Sequence, residues 1–166
     1  VVVFDNYPMK TDTELNLRTI FIVHNTIGGT EPGIADDYLI DLDAGGDYEY
    51  YIQNWIGAKH FSAGTWYDFL NINGTEKNVD DYSHQRYYYT EFFNNTNQVT
   101  VLKGKENYTS KLYLGDREGG GNPSTSSFSE VLVFEKDLSE TEIIYLLSYL
   151  SLKWGLTSVV DSDGDG

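Results

Sequence analysis

The sequence predicts an all-β protein in which two antiparallel sheets pack face to face and a single α-helix follows the last strand. Short segments rich in Tyr, Thr, Val and Ile recur along most of the 166 residues, separated by Gly- and Asn-containing turns, as in a β-sandwich. No helical pattern alternates with these segments, as βαβ units would require. One helical pattern is present, and it lies near the carboxyl end of the chain.

The predicted strands are short and are bounded by turn residues. The segment from residue 20 to residue 23 carries apolar side chains on both faces, which indicates a strand in the middle of a sandwich. Asn73-Gly74 predicts a two-residue hairpin turn, because both positions of that turn require a positive φ. A further strand follows Thr75. The other predicted strands cover residues 16–24, 38–42, 47–55, 66–72, 85–93, 98–102, 111–115 and 128–134.

The helical pattern begins at Ser139 with the segment SETE. Ser at the N-cap and Glu142 three residues later form a capping box, and Gly155 is placed to end the helix. We expect this helix to close one end of the sandwich, with Trp154 in the core and not at a binding surface. The core-facing stripe, spaced at three and four residues, consists of Ile143, Leu147, Leu150 and Trp154.

The composition limits the classes of partner. The chain has 26 acidic and 11 basic residues and a formal net charge of -15, which argues against nucleic acid, since phosphates need a basic face. It has no cysteine, so disulfides do not hold the fold. No run approaches the roughly 18 apolar residues of a membrane span. Because the chain begins with VVVF, we expect it to be a piece of a longer protein.

Four segments near the carboxyl end resemble a known family. KLYLG, FSEVLVF, LSETEIIYLLSYL and KWGL cover residues 111–115, 128–134, 138–150 and 153–156. In content and order they resemble the closing pattern of bacterial laminin G-like domains, of the concanavalin A-like lectin and glucanase class. Upstream, residues 17–23 and 72–74 are similar to a strand and a hairpin of that family. The resemblance implies a two-sheet antiparallel jelly roll, which we place at residues 1–157.

The resemblance also implies a function. Domains of this family bind ligands, mediate adhesion or act as scaffolds in large secreted or cell-surface bacterial proteins, often with calcium. We therefore expect a non-catalytic module whose partners are a glycan or a cell-surface protein, and neighbouring domains of the same chain. Two alternatives stay open: an accessory carbohydrate-binding module of a secreted polysaccharide-degrading enzyme, and a structural spacer without a ligand. The fold does not identify the ligand.

The sequence lacks the catalytic signatures that we tested. Retaining glycosidases need two carboxyl groups about 5 Å apart, and no E-x-D-x-x-E run is present. Glu130 and Glu135 are separated by an odd number of positions and would face opposite sides of a strand. No H-E-x-x-H, G-x-S-x-G or P-loop motif occurs. We therefore predict that the chain is not an enzyme.

The chain closes with an acidic segment that predicts calcium binding. Asp161, Asp163 and Asp165 alternate with Ser and Gly in DSDGDG, which is the opening of a calcium-loop pattern. We interpret residues 158–166 as a linker that starts a calcium-binding-type repeat, with a flexible acidic tail as the alternative. Asp36-Asp37, beside a Gly-rich loop, are candidate calcium ligands within the sandwich; solvated loop carboxylates are the alternative.

Aromatic side chains are the candidate sugar-binding groups, because sugar rings stack on Trp and Tyr while amides bind the hydroxyl groups. Tyr51, Gln53 and Trp55 share one face of a predicted strand. Trp66 and Tyr88 are the other aromatic candidates. Since alternate side chains of a sandwich strand point into the core, a core position is the alternative for each of these residues.

Overall fold

The computed structural model of the chain describes residues 2–3, 9–26, 37–42, 51–54, 67–77, 96–115 and 126–161. Within these residues the chain is mostly β-structure, and one α-helix follows the last strand. The strands are β1 (Val2–Val3), β2 (Met9–Lys10), β3 (Leu15–Thr26), β4 (Asp37–Leu42), β5 (Tyr51–Asn54), β6 (Tyr67–Ile72), β7 (Thr75–Lys77), β8 (Asn97–Ser110), β9 (Leu112–Leu114) and β10 (Ser126–Phe134). The helix, α1, covers Glu140–Trp154.

The strands form two antiparallel sheets, which confirms the predicted β-rich class with two antiparallel sheets and one helix. The jelly-roll topology stays a prediction. Within the described residues, a large sheet has six strands in the order β1-β10-β3-β8-β6-β7, and a small sheet has four in the order β2-β9-β4-β5. The pairings in both sheets are antiparallel. The strand predicted at residues 85–93 lies outside the described part of the chain, as does most of the one predicted at residues 47–55.

Strand β3 is the centre of the large sheet, and both of its faces are buried. Ile20 lies opposite Leu102 of β8 on one side and Val133 of β10 on the other. Ile20 and Ile22 point between the sheets, while Phe21 points to the opposite face; all three are fully buried. Since side chains alternate along a strand, these residues bury both faces of β3. The prediction of a central strand with two apolar faces is confirmed.

Two separate apolar cores stabilise the fold, one on each face of the large sheet. The inner core fills the space between the two sheets and consists of Leu17, Ile20, Ile22, Ile40, Leu42, Tyr67, Leu70, Ile72, Leu102, Leu112, Leu114 and Phe128. The helix-side core consists of Phe21, Val23, Val99, Val101, Leu138, Ile143, Leu147, Leu150, Leu156 and Val160.

The helix therefore covers the outer face of the large sheet, and our expectation that it closes one end of the sandwich was wrong. Consecutive residues of β8 explain this position, because Leu102 belongs to the inner core and Val101 to the helix-side core. A sheet with apolar side chains on both faces needs a cover on each of them. The small sheet covers one face, and α1 covers the other.

Both ends of α1 agree with the sequence prediction. Ser139 is the N-cap: its hydroxyl oxygen accepts from the Glu142 N–H, and the Glu142 carboxylate accepts from the Ser139 N–H at 2.9 Å. Gly155 ends the helix with φ 67°, a left-handed conformation that glycine adopts most readily. Ile143, Leu147 and Leu150 are buried, as the stripe predicts.

Strand β8 is longer than predicted. The sequence pattern indicates residues 98–102, whereas the strand continues to Ser110. Residues 105–107 are exposed, so their sequence lacks the alternation of apolar and polar side chains that predicts a half-buried strand. This half of β8 is held by pairing with the start of β3, where Asn16 lies opposite Thr109 and Leu17 opposite Tyr108. Pairing partners of this kind cannot be read from local hydrophobicity.

The chain stays packed on the large sheet after the helix ends. Val160 is buried in the helix-side core, and the Asp161 N–H donates to the Asn73 carbonyl oxygen at 2.8 Å. That carbonyl belongs to the predicted β6–β7 turn, where Asn73 and Gly74 have φ values of 54° and 92°. The domain boundary predicted after residue 157 stays a prediction, and this segment lies beyond it.

Candidate functional site

A groove of about 600 Å³ lies between the amino-terminal half of α1 and the outer face of β6, β7 and β8. It forms where β6 and β7 extend the large sheet beyond β3 and β8, which contribute buried side chains to the helix-side core. Phe69 of β6 packs against that core. The groove is lined by Phe69, Asn71, Gly74, Thr75, Glu76, Lys103, Glu140, Ile143, Ile144, Leu147 and Asp161.

The floor of the groove follows from the alternation of β6. Leu70 and Ile72 point into the inner core. Phe69 and Asn71, which alternate with them along β6, therefore point to the outer face. Asn71 is opposite Glu76 of β7, and Phe69 is opposite Lys103 of β8. These pairings place an aromatic ring, an amide and a carboxylate on one surface.

Asn71 also shapes the end of the groove. Its side chain is 5% exposed, and its Oδ1 accepts from the Gly74 N–H at 2.9 Å. The neighbouring Asn73 Oδ1 accepts from the Val99 N–H, also at 2.9 Å. These bonds tie the β6–β7 turn to itself and to β8. With the Asp161 N–H bonded to the Asn73 carbonyl oxygen, this end of the groove is held by that backbone–backbone bond and by the two bonds from backbone N–H groups to asparagine side chains.

The helix supplies the opposite wall. Ile143 and Leu147 are buried in the helix-side core, whereas Ile144, one position to the side of that stripe, is only partly buried. Glu140 is exposed in the first helical turn, where a carboxylate interacts favourably with the positive end of the helix dipole. The wall therefore combines aliphatic side chains with a charged rim.

Lys103 closes the other end of the groove and already has an anionic partner. Its Nζ lies 3.0 Å from Oδ1 of Asp137, whose Oδ2 lies 3.1 Å from Nη2 of Arg18. The bonds from Lys103 and Arg18 lower the pKa of Asp137 despite the opposing effect of desolvation. Lys103 Nζ also lies 5.3 Å from the centroid of the Phe69 ring. The other Asp, Glu, Lys or Arg residues among the described lining residues are all acidic: Glu76, Glu140 and Asp161.

Residues that carry the family resemblance contact one another away from the groove. Glu130 Oε1 accepts from Lys153 Nζ at 2.9 Å, and Glu130 Oε2 accepts from Trp154 Nε1 at 2.7 Å. Desolvation raises the pKa of Glu130, but the bonds from Lys153 and Trp154 outweigh it and leave the pKa lowered. Trp154 is partly buried against the helix-side core, which agrees with a packing role. The shared pattern thus joins the last strand to the helix.

The predicted sugar-binding residues are not brought to the groove by any described contact. Trp55, Trp66 and Tyr88 lie outside the described residues. Tyr51 and Gln53 belong to β5, where their backbones pair with Asp41 and Tyr38 of β4. Their assignment to a sugar site stays a prediction.

The predicted calcium ligands also fall mostly outside the described residues. Asp36, Asp163 and Asp165 lie beyond them, as does the side chain of Asp37 at the start of β4. Asp161 is placed, and it lines the groove. Among the residues that the structure describes, no group of three or more His, Asp or Glu side chains is arranged to hold a metal ion. Calcium binding stays a prediction.

Two surfaces of α1 are not among the sequence predictions. One is the groove wall at Ile144. The other is an exposed stripe opposite the core, in which Tyr145 and Leu152 are each 71% exposed and Tyr149 is 50% exposed. The stripe could have been found from the sequence, because residues at i, i+4 and i+7 share a face. The groove could not, since it depends on where the helix crosses the sheet.

His24 is a buried titratable group between the sheets. Its Nε2 lies 2.9 Å from the Thr100 hydroxyl oxygen, and burial lowers its pKa from 6.5 to about 3. It is therefore neutral in the folded protein at neutral pH. In the unfolded chain it takes up a proton below pH 6.5.

We expect His24 to make the fold sensitive to acid. Above pH 6.5 His24 is neutral in both the folded and the unfolded state, so its titration does not make stability depend on pH. Below pH 6.5 the unfolded chain binds the extra proton, so stability falls by about 1.4 kcal/mol per pH unit, or about 2 kcal/mol by pH 5. The loss levels off near pH 3, where the folded state is also protonated. Urea unfolding of the wild type and of His24→Gln, which does not titrate, measures this; a pH-independent difference between them would contradict it.

Comparison of the chain with protein-family models, with curated proteins and with solved structures found no match. In the part of the chain that the structure describes, no helix has the length and apolar character needed to cross a bilayer.

Proposed function

We propose that this chain is a non-catalytic laminin G-like module with a jelly-roll fold, which binds a ligand in the groove between α1 and the large sheet. It belongs, in this proposal, to a large secreted or cell-surface bacterial protein. The pattern at residues 111–156 and the two antiparallel sheets support the family assignment. The groove is the observation that carries the binding function, and its ligand is a glycan or a surface protein.

The groove has the properties of a binding site. Its volume of about 600 Å³ lies within the range of roughly 300–1,000 Å³ that ligand sites occupy. It combines an apolar surface from Phe69, Ile144 and Leu147 with polar and charged side chains. Phe69 and Ile144 are only partly buried. Covering such apolar surface with a ligand contributes about 25 cal/mol per Å².

The groove is also held in place before any ligand binds. One wall is a helix with a complete capping box, and the floor is a hairpin whose turn is bonded to β8 and to Asp161. A site built on such elements loses little conformational entropy on binding. This favours a binding role over the alternative of a spacer.

The calcium proposal concerns the segment that starts at Asp161. In this proposal DSDGDG begins a calcium-binding-type repeat that joins the module to a neighbouring domain. The Asp161 N–H is bonded to Asn73, so the first residue of that segment is attached to the large sheet. Since a bound ion stabilises a fold by mass action, a melting temperature that chelator leaves unchanged would count against an integral calcium site.

Binding can be tested before the ligand is identified. We expect the module to retain partners from a printed glycan array or from a displayed library of random dodecapeptides, and Ile144→Glu to abolish that binding. The introduced carboxylate places a charge on the apolar wall, where its desolvation is unfavourable.

Tyr145→Glu is the matched control, since it changes the neighbouring helix position outside the groove. We expect it to leave binding unchanged. Loss with Tyr145→Glu alone would move the site to the exposed stripe of α1, and an absence of specific binding in both screens would favour the spacer.

A further inference from the structure

We propose that the ligand of the groove is a cationic segment of a partner protein, with an apolar side chain against Phe69 and Ile144 and a Lys or Arg beside the acidic rim. This inference rests on the proposed function and specifies the chemical class of its ligand. It depends on the sign of the charges around the groove, on the shape of its apolar surface and on the net charge of the chain.

The rim of the groove has an excess of negative charge on both sides. Glu76 comes from β7 and Glu140 from α1; both are exposed, and the ion pairs among the described residues leave them unused. Lys103, which is the cation among the described lining residues, is bound to Asp137. A basic side chain lying along the groove therefore meets carboxylates on either side.

The amino end of α1 does not offset this preference for cations. A helix amino terminus attracts anions through its unsatisfied N–H groups and its dipole. Here the Ser139 side chain occupies the capping position, and Glu140 and Glu142 place two carboxylates in the first turn. Of these two, Glu140 lines the groove, so an anionic ligand would meet its carboxylate, and phosphate- or sulfate-bearing partners are disfavoured.

The apolar surface suits a protein side chain better than a sugar ring. Sugars stack on open aromatic faces, whereas the Phe69 ring has the Lys103 ammonium 5.3 Å from its centroid. The rest of the apolar lining is aliphatic, from Ile143, Ile144 and Leu147. The amide oxygen of Asn71 already accepts from Gly74. The groove thus offers a slot for a hydrophobic side chain, whereas the aromatic ring among its described lining residues already lies near a cation.

The whole chain reinforces the preference. A formal net charge of -15 attracts cationic ligands at long range and speeds their association, an effect that salt screens. Because this attraction acts everywhere on the surface, a test must separate the groove from the general field. A control variant that removes two other carboxylates does so.

The probe is an end-capped glycine nonapeptide with a central Phe flanked by two Lys, titrated into the ¹⁵N-labelled chain and followed by amide shifts. We expect saturable shifts at Thr75 and Ile144, which weaken when salt is added. The double variant Glu76→Gln/Glu140→Gln should bind about tenfold more weakly, because two surface ion pairs are lost. Glu14→Gln/Glu106→Gln has the same net charge, and its two sites lie outside the groove lining; we expect it to lose less than about twofold.

Two further peptides separate the components: one with Gln in place of Lys and one with Gly in place of Phe. Both should bind more weakly than the probe. Equal binding by the Gln peptide and the probe, or equal losses in the two double variants, would overturn the cationic ligand.

A glycan that competes for the groove without dependence on Glu76 and Glu140 would overturn this inference and leave the proposed function intact. If no probe or array ligand shifts the groove amides and Ile144→Glu has no effect on any interaction, the proposed function itself fails.

Discussion

Replacing Gly74 with alanine is expected to lower the free energy of unfolding by about 2–5 kcal/mol. Gly74 has φ 92°, and a Cβ at this position would lie 1.7 Å from the carbonyl oxygen of Asp161. Because that oxygen belongs to the backbone, either the β6–β7 turn or the segment at Asp161 must move. The movement would break the 2.8 Å bond from Asp161 to Asn73 and disturb the adjacent Val160 in its core.

Gly155→Ala is the matched control for this prediction. Gly155 also has a positive φ, at 67°, but a Cβ there would meet nothing within 4 Å. It should therefore cost only the left-handed backbone strain, about 1–2 kcal/mol. Urea denaturation of both variants measures the difference, and amide exchange at Asp161 should quicken only in Gly74→Ala. Equal destabilisation would mean that the chain end does not pack against the β6–β7 turn.

The second large effect is expected for Phe21→Ala, which should cost about 3–5 kcal/mol. Phe21 is fully buried in the helix-side core. Its ring contacts that of Phe134 edge to face, with centroids 6.0 Å apart at 75°. Truncation leaves a cavity between the large sheet and α1. Thermal or urea unfolding gives the value.

Tyr145→Ala removes an aromatic ring of similar size from the exposed side of the same helix layer. Tyr145 is 71% exposed, so the change should stay within about 0.5 kcal/mol. If Phe21→Ala were as mild as this control, α1 would not be packed on β3. If heating Phe21→Ala reduced the helical circular dichroism signal before the β signal, α1 would unfold before the sheets.

Local features of the sequence predicted the elements whose structure is decided locally. Ser139 and Glu142 form the capping box, and Asn73-Gly74 forms the hairpin turn, because each depends on residues a few positions apart. The run around Ile22 predicted a strand buried on both faces. This run did not predict what covers the outer face of the large sheet, because a strand with two apolar faces can be covered there by a helix or by another sheet. The position of α1 on the large sheet therefore had to come from the structure.

The groove was not predictable in the same way. Its lining brings together Phe69, Lys103, Ile144 and Asp161 from four parts of the chain, and each looks ordinary in its own segment. The sequence predicted aromatic residues such as Trp55 as ligand-binding groups, because the chemistry of a side chain is known from the sequence. Which strands and helices lie next to each other is not. Asp161, the predicted metal ligand whose side chain lies within the described part of the chain, lines the groove.

The double-faced large sheet also has a consequence for how the chain is made. Strand β3 is synthesised early, yet Ile20 pairs with Leu102 and Val133, and such distant pairings form slowly. The cover for Phe21 and Val23 is synthesised after these strands, in α1 and the residues that follow it. A ribosome-bound chain thus carries an apolar sheet face that its own later residues must cover. We expect the module to be most prone to self-association while residues 139–160 are still being translated.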